Sequence, residues 1–121
     1  MKNYTDVEQS NELVKILPIE SADMSYYLDF DSEKYEVTTT PYKNLVIPKY
    51  VQTYKGFSQA LPCWSLTALL SIIPNYKLSS EHNCHTCTAG TSFGDETVGW
   101  FDDPIDACVA MIEKLHNLKM L

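Results

Sequence analysis

Leu61-Pro62-Cys63-Trp64-Ser65-Leu66-Thr67-Ala68-Leu69-Leu70-Ser71-Ile72-Ile73-Pro74-Asn75 is the stretch that decides the fold. Two prolines, Pro62 and Pro74, bracket an apolar run without a charged residue. Ser65 suits a helix N-cap, because its hydroxyl can accept from an amide two or three residues on. Leu66, Leu69, Leu70 and Ile73 then fall at i, i+3, i+4 and i+7, one face of a helix. Ala68 and Ile72 make the flanks apolar too, so little of its surface suits water. Pro74 ends it by pushing the preceding residue out of the helical region. A helix this short is unstable alone in water. The rest of the chain must wrap it.

Beyond Pro74 the texture changes. Residues 76–91 are rich in Ser, Thr, Cys and His, and a Gly94-Asp95 turn leads into Thr97–Phe101. This pattern predicts two or three antiparallel strands joined by hairpins, with Tyr76 and Leu78 pointing one way and Val98 and Trp100 likewise. The last helix is marked by three signals: Asp103 caps, Pro104 takes the first helical position, and Asp106 follows three residues after the cap. Ile105, Cys108, Val109, Ile112 and Leu115 form its apolar stripe. Lys114, His116 and Lys119 sit at the negative end of its dipole.

Before Leu61, Thr5-Asp6-Val7-Glu8 has the form of a capping box. Val7, Leu13, Val14 and Leu17 give a partial stripe, so a helix is expected over about 5–17 and Pro18 stops it. Asp6 and Glu8 complement its positive end and Lys15 its negative end. Residues 19–24 read as a loop, Tyr26–Phe30 as a short strand and Tyr35–Thr40, alternating and β-branched, as a better one. Asp29, Asp31, Ser32 and Glu33 between them lack the glycine and terminal glutamate of a calcium loop and read as a solvated turn. Leu45–Ile47 and Tyr50-Val51 carry further strand character around Pro48, an edge strand or lid-like loop, and Lys55-Gly56 is a turn. The sum is a single α+β domain over 1–121, an antiparallel sheet with a short buried central helix and amphipathic helices at both ends.

Composition limits the functions. The 121 residues are 45% hydrophobic and 21% charged, ordinary for a globular domain with one core. Eight tyrosines favour strands in the middle of the chain. Net charge is −7, from 16 acidic and 9 basic side chains, with no arginine. Direct nucleic-acid binding is therefore not expected, since it needs a basic surface and favours bidentate arginines. The polar N-terminus has no signal-peptide core and no apolar run approaches a membrane span. A cytoplasmic setting follows, with Cys63, Cys84, Cys87 and Cys108 as thiols. If a leader had been trimmed, disulfides return with 3 possible pairings.

Pro62-Cys-Trp-Ser-Leu-x-x-Leu-Leu-x-x-Ile-Pro74 and Asp102-Asp-Pro-Ile-Asp-Ala-Cys-Val-x-Met-Ile112, with Pro18-Ile-Glu-Ser-Ala-Asp-Met24, resemble a group of small uncharacterised proteins. These are encoded in gut bacteria of the Bacteroides type and in their prophages and mobile elements. The group has no assigned activity. The resemblance implies one compact domain, an intracellular setting and a phage or mobile-element origin, but no catalytic residue.

Three constellations could carry chemistry. His82-Asn-Cys84-His85-Thr-Cys87 offers the donors zinc prefers, and Cys84-x-x-Cys87 is half of a structural zinc site. A strand, however, puts 82 and 84 on one face and 85 and 87 on the other, and no glycine lies within the six to make a knuckle. Redox use of the Cys84/Cys87 pair would want it at a helix N-terminus. Cys63, at the start of the central helix, followed by His82 or His85 on strands, has the order of papain-like thiol hydrolases. Only Cys-Trp of the papain signature is present, and a buried cysteine beside Trp64 is the plainer reading. Gly90-Thr-Ser92-Phe-Gly94 spells a nucleophile elbow but lacks the following helix, so it reads as a turn. Asp102, Asp103 and Asp106 are explained by capping, and Trp64, Trp100 and the tyrosines by an aromatic core. The expected function is an accessory or protein-interaction module without catalysis, without cofactor, and with a protein partner.

Overall fold

The computed structural model describes residues 2–29, 32–45, 53–54, 57–58 and 60–121, with the backbone alone at 53–54 and 57–58. The elements are α1 (Val7–Leu13), β1 (Met24–Asp29), β2 (Lys34–Thr38), β3 (Thr53–Tyr54), β4 (Phe57–Ser58), β5 (Ala60–Cys63), α2 (Leu66–Ile72), β6 (Lys77–Glu81), β7 (Cys84–Thr91), β8 (Gly94–Thr97) and α3 (Pro104–Asn117). Every strand pairing is antiparallel, which makes an α+β fold. The expectations at Val46-Ile47, Tyr50-Val51 and Lys55-Gly56 lie outside the described residues.

The strands divide between two compact units, Asp6–Trp64 and Met1–Thr5 with Ser65–Leu121. In the Asp6–Trp64 unit the sheet order is β2-β1-β5, with the β3–β4 ribbon apart from it. Among the described residues β5 is an edge of this sheet, the position at which a strand tolerates a proline such as Pro62. Tyr26 packs edge-on to Tyr35 at 6.3 Å between ring centres, and burial pushes the Tyr35 hydroxyl pKa up. Trp64 is fully buried, and its Nε1–H donates to Ser21 Oγ at 2.9 Å. Ser21 Oγ in turn donates to Pro18 O at 2.6 Å. Together with the Met24–Cys63 pairing, this joins the 18–24 block to the 62–64 block.

α1 is shorter than the expected 5–17, and its cap comes one residue later. Asp6, not Thr5, is the cap: it accepts from Gln9 N–H at 2.8 Å while Gln9 Oε1 accepts from Asp6 N–H. Tyr4 bridges to Ser65, so the chain is still held extended as it reaches Thr5, and the cap passes to the next polar residue.

In the second unit, α2 is capped by Ser65 as the sequence requires, with Ala68 N–H donating to its Oγ at 3.2 Å. Leu69 and Ile73 are buried, Leu66 and Leu70 half-buried. α2 packs on α3, and α3 packs on β7. All five expected stripe residues of α3 are buried, and Ala107 and Met111 widen the face. Burying each large aliphatic side chain contributes about 1.5–3 kcal/mol, which is what holds so short a helix as α2 in place. Asp103 caps α3 through Oδ1, which accepts from Ile105 N–H at 2.9 Å. Its Oδ2 accepts from Lys2 N–H at 2.5 Å, and Lys2 Nζ meets Asp106 at 2.6 Å. The sheet order is β6-β7-β8. The turn before β8 is Ser92-Phe93 rather than Gly94-Asp95; Gly94 opens the strand at φ 109°, a conformation that favours glycine.

Candidate functional site

The His/Cys segment is the β6–β7 hairpin. Glu81 pairs with Cys84, leaving His82-Asn83 as a two-residue loop with φ 50° and 63°. Two positive φ values in succession are those of a type I′ turn, whose twist matches that of the flanking strands. Asn tolerates this region; His82 is held there by the turn and projects into solvent, 90% exposed at its side chain. Its Nε2 lies 3.6 Å from Glu81 Oε1.

Alternation along β7 separates the expected ligands. Cys87 and Ala89 face α3 and are fully buried, whereas Cys84 falls on the opposite face and is half-buried. Among the described residues, no three His, Cys, Asp or Glu side chains form a group able to hold a metal ion. The arrangement of His82, Cys84, His85 and Cys87 is that of a hairpin, not of a zinc knuckle.

His85 has a different neighbour from those expected. It sits directly opposite Ser80, and Ser80 Oγ and His85 Nδ1 share a hydrogen bond of 2.7 Å. Its backbone exchanges two hydrogen bonds with Phe101, at 2.7 and 2.8 Å, which fixes the 98–103 segment beside β7. Ser80, His82, His85 and Asp102 line an open hollow of about 330 Å³ on one side of the hairpin tip. On the other side Glu81, His82, Cys84 and Trp100 line an almost wholly apolar one of about 210 Å³. Trp100 is 52% exposed. Its assignment to an aromatic core is corrected: Trp64 is core, Trp100 is surface. The expected strand over Thr97–Phe101 is corrected with it: β8 ends at Thr97, so no strand alternation carries Trp100 into the interior.

Cys63 is the last residue of β5, not the first turn of α2, and is fully buried. It belongs to the Asp6–Trp64 unit, whereas His82 and His85 belong to the other. Ser92 is an exposed turn residue with a strand after it, so Gly90–Gly94 is no elbow. Gly90 has a packing cause: a Cβ there would come within 3.0 Å of Asn75 Cβ, where Gly90 N–H donates to Pro74 O at 3.0 Å. All four cysteines are thiols, and Cys87 and Cys108 hydrogen-bond to each other through their side chains.

The chain matches no protein family, no curated protein and no solved structure. No helix among the described residues is long and apolar enough to cross a membrane.

Proposed function

We propose that this chain is a non-catalytic accessory module that binds a protein partner through the tip of the β6–β7 hairpin. Trp100 carries the reading. A tryptophan half in solvent, beside an apolar hollow formed with Cys84, is the kind of side chain that anchors interfaces. Glu81 borders it, in a chain of net charge −7, so the complementary partner presents an apolar side chain among lysines or arginines. The accessory role and mobile-element origin draw their support from the sequence blocks 62–74 and 102–112. The test is quantitative capture from a lysate with wild type and Trp100→Ala side by side. The expected result is a partner retained by wild type, lost at least tenfold in the variant, and weakened by salt. Identical capture by both proteins refutes the reading.

A hydrolytic alternative has one observation in its favour, the 2.7 Å Ser80–His85 contact. Ser80 is exposed, and that contact engages Nδ1 while no carboxylate holds the ring among the described residues. Ester turnover that disappears in His85→Ala would replace the binding reading with this one.

A further inference from the structure

We propose that Cys87 and Cys108 are a redox-active pair that closes into a disulfide between β7 and α3, with hydrogen peroxide as oxidant. The two thiols come from elements that pack directly on one another, both are fully buried, and they already share a hydrogen bond. Cys84, three residues earlier on β7, lies on the opposite face and does not compete for Cys108.

The pair is polarised. Cys108 S–H donates to the Cys87 sulfur, which lowers the Cys87 pKa, while the same bond and burial push Cys108 far up. Cys87 is therefore the nucleophile. Its thiolate attacks one peroxide oxygen: an S–O bond forms, the O–O bond breaks, and the departing hydroxide is protonated to water. Cys87, oxidised by two electrons, is now a sulfenic acid. Cys108 Sγ then attacks Cys87 Sγ, the S–O bond breaks, and the hydroxyl leaves with the Cys108 proton as a second water. Two thiols and one peroxide give one disulfide and two waters. Peroxide is close to water in size and enters a buried contact during local opening, where a bulky disulfide oxidant does not.

Reduced wild-type protein is treated with a small excess of hydrogen peroxide, its remaining thiols are blocked with N-ethylmaleimide in denaturant, and it is cut after glutamate. Cleavage after Glu81, Glu96 and Glu113 puts Cys87 in peptide 82–96 and Cys108 in peptide 97–113. The expected product is these peptides joined through Cys87 and Cys108, with Cys84 carrying the maleimide, reversed by dithiothreitol. The oxidised protein should melt roughly 5–15 °C higher than the reduced one. Separate peptides with both cysteines alkylated, or a link through Cys84, overturn the proposal. In a folded Cys108→Ser variant, whose hydroxyl keeps a hydrogen-bond donor beside Cys87 but forms no disulfide, Cys87 should stall as the sulfenic acid and be trapped by dimedone added with the denaturant; absence of that adduct overturns the assigned order of attack.

Discussion

Asp103→Ala tests the account of α3 most directly. Asp103 is 6% exposed and uses both carboxylate oxygens: Oδ1 accepts from Ile105 N–H at 2.9 Å, and Oδ2 from Lys2 N–H at 2.5 Å. Alanine removes the cap, worth about 1 kcal/mol and at most about 2. It also leaves the Lys2 N–H without its acceptor, a further cost of about 1–2 kcal/mol for a half-buried donor. The loss is therefore about 2–3 kcal/mol. For 121 residues the unfolding entropy is about 0.25 kcal/mol/K, so the melting temperature should fall by about 8–12 °C. Asp103→Asn keeps a capping oxygen but turns an amide NH2 toward one of the two donors, so it should lose about half as much. Thermal melts followed by circular dichroism at one protein concentration give the ranking. A fall below about 3 °C for Asp103→Ala, or an asparagine variant as unstable as the alanine one, would refute the assignment of both oxygens.

Two further outcomes follow from burial and backbone geometry. In the native protein iodoacetamide should label Cys84 first, with Cys63, Cys87 and Cys108 modified only on unfolding, because Cys84 alone among them is partly exposed; a Cys63 that labels as fast as Cys84 would restore the thiol-hydrolase reading. Asn83 at φ 63° should accept glycine with no loss of stability, whereas Asn83→Val should cost about 1–2 kcal/mol by placing a β-branched side chain at positive φ, measured by urea unfolding.

The start and stop of α2 and α3 were legible in the sequence because caps and prolines act over a few residues. Ser65, Pro74, Asp103 and Pro104 each impose their geometry on the chain next to them. The α3 stripe was legible for a related reason: its apolar positions repeat at the helix period, and any core they meet buries the same face. What the hydrogen bonds of distant residues decide was not legible. The Tyr4–Ser65 bridge moved the first cap from Thr5 to Asp6. The hairpin pairing of Glu81 with Cys84 dispersed the zinc-like ligands and brought Ser80 to His85.

Leu61–Asn75 shows where the division lies. Its residues alone determined that a capped apolar helix begins after Ser65 and ends before Pro74. Only the tertiary structure decided that the preceding Ala60–Cys63 is a strand paired to β1, so that the stretch contributes β5 to one compact unit and α2 to the other. The same long-range contacts decided that Trp64 is buried against Ser21 while Trp100 meets solvent, and that Cys108 meets Cys87. Helix ends depend on hydrogen bonds within one turn, which the sequence spells out. Burial and thiol pairing depend on partners 20 or more residues away, and only the folded chain selects among those.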